Sequence, residues 1–436
     1  MHENLLIKGG RIIDPASGID LEGDVLLADG KVAEVGRALS SSNARVIQAS
    51  GRIVSPGLVD IHVHLREPGN EGAETIATGT AAAVAGGFTS IACMPNTSPT
   101  LDTETAIEFV YRQADRAGLC NVYPIGAVTK ERRGEELAEM GQMIRAGAVG
   151  FSDDGRGVSN TAVMFRALQY VRMFDKPILQ HCEDPALASG GVMNAGKTAT
   201  RLGLPGINPI AEDLMIQRDL ALIEQTRARY HVCHVSTARA VDLVRQAKAA
   251  GLPVTCEVCP HHLLLTEEAC SSYDTNYKMN PPLRTQRDVE ACRKGVADGT
   301  IDCLVTDHAP HAQQDKDLEF LDAPPGIVGL ETAIPLYIKA LIDPGLMDWP
   351  ALIERLTTRP ASVLSLKKGT LAPGADADVT IIDPGLQWTI DIRHFRSKSR
   401  NCPFDGWTVR GRATATIVGG RVKYELEPAT VAGLRV

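Results

Sequence analysis

The segment VDIHVHLREPG, residues 59–69, sets two imidazoles two positions apart in an apolar run and follows them at once with an arginine and a glutamate. Side chains alternate between the faces of a β-strand, so His62 and His64 share a face, and Arg66 joins them if the strand continues. Two imidazoles at this spacing can hold one metal ion, and imidazole is the commonest protein metal ligand. An isolated His-x-His is also found in ordinary polar loops. Its meaning depends on what the rest of the chain brings to the same place.

Around this segment the chain alternates strand and helix. The strand candidates are GLVDIHVHL, TSIACMPN, NVYPIGAV, AVGFSDD, PILQHCED, RYHVCHVS, PVTCEVCPHHLLL and IDCLVTDHAP, with helical stretches such as TETAIEFVYRQADRAG and TAVMFRALQYVRMF between most of them. Eight strand–helix units in sequence predict an α/β fold, a (β/α)8 TIM-like barrel. A doubly wound open sheet is the other α/β architecture, but it usually carries a Gly-rich phosphate turn after an early strand, and this chain has none. The two ends differ from the middle. LLIKGGRII, DVLLADGKVAEVG and ARVIQASGRIV at the start, and DADVTIID and ATATIVGGRVKYE near the finish, read as short strands punctuated by Gly and Asp.

Composition narrows the function classes. The chain has 436 residues, 44% hydrophobic and 22% charged, which is ordinary for a globular protein with a large core. Its formal net charge of −8 argues against nucleic acid or an anionic membrane as the main partner. No run of about 20 apolar residues predicts a transmembrane helix, and the first residues lack the basic and apolar regions of a signal peptide. Ten scattered cysteines without a regular framework suit a reducing, cytoplasmic setting. The Cys256–Cys259 pair has no second CxxC to complete a zinc knuckle and reads as packing. Cys182 likewise reads as a packed thiol.

The polar residues at the strand ends give the His-x-His its meaning. His62 and His64 end the first strand, Asp153 the fourth, His181 the fifth, His234 the sixth and Asp307 the eighth. In a barrel those C-terminal ends converge on one mouth, where active sites are built. Four imidazoles and two carboxylates suit Zn2+ best, with manganese and cobalt as alternatives. The set exceeds the needs of one ion. It allows one or two zinc ions per chain, one on His62, His64 and Asp307 and another on His181 and His234, with Asp153 between them. Spacing alone does not separate Asp153 from Asp154. Asp307 beside a metal-bound water could accept its proton and return it to a leaving nitrogen, which is amide-hydrolase chemistry. No GxSxG elbow supports a serine nucleophile. His231 and His308 should face away from the site, and His261 and His262 read as structural.

Together the motifs HVHLREPG, MPNT, FSDDG, HCED, CHVST, PHHL, KMNPPLR and TDHAPH, in this order from about Leu5 to the C-terminal strands, resemble bacterial type I dihydroorotase of the amidohydrolase superfamily. The resemblance implies reversible conversion of N-carbamoyl-L-aspartate to (S)-dihydroorotate in pyrimidine synthesis. It also implies a small composite β-sandwich domain from both chain ends, here 1–55 plus 366–436, on a barrel of 56–365. It makes Asp307 the catalytic acid/base and favours Asp153 as the bridging carboxylate, since the fourth strand lacks the lysine that many superfamily relatives use. Arg66, Asn96 and His311 would hold the substrate carboxylate, with His64, Asn280 and the backbone of Pro325–Gly326 completing the pocket. An anionic substrate in an acidic protein needs such a local arginine fork. Cys259 stands where the family pattern has threonine. A homodimer and association with aspartate carbamoyltransferase are family expectations. The competing readings are a hydantoinase or allantoinase, which would lack the Arg66–Asn96 clamp, and a non-catalytic scaffold, which would lack metal ligands. The segment HAQQDKDLEFLDAPPGIVGLE after the eighth strand has the composition of either a mobile lid or a solvated loop.

Overall fold

The computed structural model describes residues 4–427. Its centre is a ring of eight parallel staves. Leu58–Val63, Phe88–Cys93 and Asn121–Pro124 pair in one run, and Ile178–Gln180, Tyr230–Val232, Val254–Val258 and Cys303–Leu304 in another. Phe151 joins the runs as the fourth stave, bridging Gly126 on one side and Ile178 on the other. The ring closes where Val63 bridges His308 and the His64 amide donates to the His308 carbonyl at 2.8 Å. The fourth stave is short because its sequence turns polar after Phe151. The Ser152 hydroxyl accepts from the Asp154 amide at 3.0 Å, a local bond that competes with extension of the ladder.

Helices cover the ring where side-chain caps start them. Thr103 accepts from the Ala106 amide to open Glu104–Ala117, and Gly118 at φ +59° closes it in the left-handed conformation that glycine adopts freely. Asn160 accepts from the Ala162 and Val163 amides to open Thr161–Arg172. Ile107, Val110 and Ala114 of the first helix, and Val163, Ala167, Leu168 and Val171 of the second, are buried in the layer between helices and staves. Inside the ring the staves and their C-terminal ends supply a second, smaller cluster that includes Val59, Ile61, Ala92, Leu179, Cys233, Cys259, Cys303 and Val305. The ring is therefore a packed plug below its mouth, each fully buried branched side chain contributing roughly 1.5–3 kcal/mol. All ten cysteines are buried and unbonded. Burial pushes the Cys93 thiol up to about 12, so it stays an unreactive thiol.

The chain ends meet in one eight-stranded sheet with a core of its own, including Leu5, Ile7, Ile12, Val25, Val379, Ile381 and Ile417. Ile53–Pro56 lies antiparallel to Val379–Thr389, which joins the N-terminal strands to the C-terminal ones. Gly57 then leads into the first stave, and a Cβ there would lie 2.0 Å from the Thr89 hydroxyl. Close approach of sheet to barrel thus requires glycine at this position. Residues 390–407 leave the sheet. Ile390, Phe395, Cys402 and Phe404 pack with Phe320 and Ile327 in a cluster beside the mouth of the barrel. Among the described residues, no helix is long and apolar enough to cross a membrane.

Candidate active site

Asp60 stitches the first stave to the eighth. One of its carboxylate oxygens accepts from the His62 amide at 3.0 Å, and the other from the Thr306 amide at 3.1 Å and hydroxyl at 2.6 Å. Pairing of the first two staves shifts register between Asp60 and Val63. In this arrangement His62 and His64 both present Nε2 to Asp307, at 3.5 and 3.0 Å from Oδ1. On the opposite ring nitrogen of His64, Nδ1–H donates to Asn96 Oδ1 at 2.8 Å.

The fourth stave supplies a different carboxylate from the one expected. Asp153 accepts from the Val128 and Thr129 amides at 2.9 and 3.1 Å and from the Thr129 hydroxyl. It secures the loop after the third stave and does not face the histidines. Asp154, one residue on, enters the site. Its Oδ1 lies 3.4 Å from His62 Nε2, 3.8 Å from His181 Nδ1 and 3.9 Å from His234 Nε2, and its Oδ2 lies 3.6 Å from His64 Nε2. The expectation of Asp153 is therefore corrected to Asp154. With two adjacent aspartates the local bond of Asp153 to a neighbouring loop decides which is free to enter, and that loop is remote in sequence.

Burial alone would raise the Asp154 carboxyl, but the neighbouring imidazoles of His234, His62 and His64 hold it well below the usual carboxylate range. Asp307 behaves alike: burial opposes ionisation, His62, His64 and His234 override it, and the carboxyl is lowered. The donor set fits a cation. Among the described residues, His62 Nε2 and Asp154 Oδ1 are buried with no hydrogen-bond partner, and His181 Nδ1 faces His234 Nε2 at 3.0 Å. Leaving buried polar atoms unsatisfied costs roughly 1–3 kcal/mol each, which a shared cation offsets. His62, His64 and Asp307 form one group with ligand atoms close enough for a single ion, and His62, Asp154 and His234 another. Three residues of the site also take left-handed backbone angles, Arg66 at φ +61°, His234 at +29° and Asp307 at +47°. Such strain costs of order 1–3 kcal/mol per residue and gathers at functional sites.

Every residue expected to contact substrate lines one cavity of about 200 Å3 beside this cluster: His64, Arg66, Asn96, Asn280, His311, Pro325 and Gly326. Arg66 arrives through its left-handed turn, since the stave itself ends at Val63. Its Nε donates to the Pro310 carbonyl at 3.0 Å, and its Nη2 lies 3.5 Å from His311 Nε2. Burial pulls its guanidinium down to about 10 against the attraction of Asp307 and Asp154, leaving it charged at neutral pH. Asn96 Nδ2 also donates to Asp154 Oδ2 at 3.4 Å, and Asn280 Nδ2 to Glu183 Oε1 at 3.3 Å. His311 Nε2 donates to the Pro325 carbonyl at 2.9 Å. Gly326 sits at φ +126°, and a Cβ there would lie 2.8 Å from the Ala309 Cβ.

The segment after the eighth stave is tied down from several sides. Lys278 Nζ donates to the Phe320 and Leu321 carbonyls at 2.7 and 2.9 Å, and Lys316 Nζ to that of Pro324 at 2.9 Å. Asn401 Nδ2 donates to the Ala309 and Gly326 carbonyls, both at 3.0 Å. His308 faces away, its Nδ1 accepting from the Gly329 amide at 3.1 Å. His262 Nε2 donates to the Pro281 carbonyl at 3.0 Å. The Cys182 thiol packs against the Tyr230 hydroxyl at 3.3 Å. Sequence reasoning missed Glu257, which is wholly buried and holds His62 Nδ1 at 2.5 Å and His231 Nε2 at 3.0 Å. The available signal was a carboxylate in the middle of a buried strand, VTCEV.

A family model described as "Dihydro-orotase-like" matches residues 51–240. A dihydroorotase of Pelotomaculum thermopropionicum is 54% identical over 418 residues, covering 96% of this chain and 98% of that protein. One from Anaeromyxobacter dehalogenans is 53% identical over 428 residues, covering 98% and 99%. Among solved structures, an L-hydantoinase (dihydropyrimidinase) from Arthrobacter aurescens superposes with a TM-score of 0.86 at 29% identity, covering 98% of this chain and 96% of that one.

Proposed function

This chain belongs to the dihydroorotase family of cyclic amide hydrolases, and from that premise we propose that it interconverts (S)-dihydroorotate and N-carbamoyl-L-aspartate with bound zinc. The observation that carries the reading is the Arg66 guanidinium in the same cavity as His64, His181, His234, Asp154 and Asp307. A cyclic amide bearing a carboxylate can then present its ring amide to Asp307 while the carboxylate meets Arg66.

His62, His64 and Asp307 would hold one zinc ion, and His181 and His234 a second, with Asp154 between the two groups. Zinc bound there supplies a water acidified to a pKa near 7 and a polarised amide carbonyl. The remaining work falls to the side chains. Arg66, Asn96 and His311 hold the substrate carboxylate, and the backbone of Pro325–Gly326 with Asn280 orients the ring. Asn96 keeps the His64 proton on Nδ1, which leaves Nε2 as the face turned to Asp307. Water oxygen adds to the ring amide carbon, Asp307 accepts the water proton, and the carbon–nitrogen bond breaks. Asp307 returns that proton to the departing nitrogen, giving the ureido group and a carboxylic acid, which releases water's second proton to solvent to become the new carboxylate. The reverse sequence closes the ring.

The fold likeness to an L-hydantoinase favours one second reading, hydantoin hydrolysis at the same centre. Purified protein supplied with zinc is assayed in parallel on dihydroorotate, hydantoin, dihydrouracil and allantoin. The proposal expects turnover of dihydroorotate well above the three substrates that lack its carboxylate. Preference for hydantoin or dihydrouracil would overturn it, and no turnover of any substrate would point to a scaffold.

A further inference from the structure

Glu257 lies on the seventh stave with its side chain wholly buried, as are those of His62 and His231. A fully buried glutamate is rare unless paired, because its charge loses the solvation of water. Here its two oxygens take different partners. Oε1 is 2.5 Å from His62 Nδ1 and also accepts from the His234 amide at 3.3 Å. Oε2 is 3.0 Å from His231 Nε2, and His231 Nδ1 is 2.7 Å from the Thr255 hydroxyl. Thr255, His231, Glu257 and His62 thus form a continuous line of hydrogen bonds through the sixth, seventh and first staves.

The line ends at the active site. His62 Nδ1 is engaged by Glu257, while His62 Nε2, across the ring, has no hydrogen-bond partner among the described residues and faces Asp154 and Asp307. We propose that Glu257 is a positioning residue for the metal centre: it keeps the His62 proton on Nδ1, fixes the plane of that ring and leaves the Nε2 lone pair free for the ion. His231, behind it, fixes the carboxylate in turn. The inference rests on the metal-site reading above. Glu257 is not itself a ligand of the same ion, because it occupies the ring nitrogen opposite the one that faces the cluster.

The test measures zinc affinity by chelator competition in wild-type protein and in Glu257→Gln, together with the visible spectrum of each loaded with cobalt and the melting temperature of each without metal. An outer hydrogen bond of this kind is worth about 10–100-fold in metal affinity. The inference expects a loss of that size with an altered cobalt spectrum. Equal affinity and equal spectra would overturn it and leave the metal-site reading intact. Failure of wild-type protein to bind zinc would remove both. If Glu257→Gln does not fold, wild-type protein labelled with 15N-histidine and loaded with zinc decides the matter. His62 then carries its proton on Nδ1, and a proton on Nε2 overturns the inference.

Discussion

Asp154 Oδ1 stands 3.4 Å from His62 Nε2, whereas its neighbour Asp153 is bound to the amides of Val128 and Thr129. Both aspartates are buried, but their contacts differ. Asp154→Asn should weaken zinc binding and turnover by more than about a hundredfold, since even an outer bond to a ligand is worth about 10–100-fold. Asp153→Asn keeps an oxygen for the two amides and should leave zinc content unchanged, with turnover within about tenfold of wild type. Metal analysis and steady-state rates on the two variants check the assignment, and the opposite ranking would restore Asp153.

Asp307→Ala should abolish turnover in both directions while the protein remains folded, because the proton then has no carrier between water and the departing nitrogen. General acid–base groups are worth about 10²–10⁴-fold. A circular dichroism spectrum like that of wild type, beside a rate reduced by at least the lower figure, is the expected pair of results.

Arg66→Lys retains a charge but loses the planar fork that pairs with a carboxylate. A hydrogen bond to a charged group is worth about 1.5–3 kcal/mol, or roughly 10–100-fold. The loss should fall on kcat/KM for dihydroorotate and spare any slow hydrolysis of uncharged cyclic amides. Measuring both substrates on the variant separates a carboxylate clamp from a general loss of activity.

His311 reports on the pH response. Burial, reinforced by the charges of Arg66 and Lys316, pushes it down to about 3. Its folded value lies below the unfolded one, so between about 3 and 6.5 the unfolded chain binds a proton that the folded chain refuses. The stability it contributes is complete above pH 6.5 and is lost as pH falls from there toward 3. A titration by NMR should show His311 neutral from pH 8 down to 5; an inflection near 6.5 would contradict its burial beside Arg66.

Gly326→Ala tests the ring-facing backbone. At φ +126° an added Cβ would crowd Ala309 and cost about 1–3 kcal/mol. The expected outcome is a lower melting temperature and a raised KM, with zinc content unchanged.

Much of this site was legible because the barrel converts sequence order into geometry. His62, His64, His181, His234 and Asp307 each end a stave, and parallel staves bring such ends together. The family motifs then brought Arg66, Asn96, Asn280, His311 and Gly326 to the same cavity. The choice between Asp153 and Asp154 was not legible, because it depends on the Val128–Thr129 amides, a contact across staves. Glu257 was hidden for a similar reason: its partners His62 and His231 lie 195 and 26 residues away. Local pattern shows which strand a residue occupies, but a buried side chain's duty depends on what the neighbouring staves present to it. The departure of residues 390–407 from the C-terminal sheet to the mouth likewise depends on apolar partners, Phe320 and Ile327, that no local periodicity reveals.

The most direct measurement of the central claim is dihydroorotate turnover and zinc content determined on one sample, before chelation, after it and after zinc is restored. The account predicts one or two zinc ions per chain, activity lost with the metal and recovered with it. Turnover that persists in metal-free protein, or zinc-loaded protein that leaves dihydroorotate untouched, would contradict it.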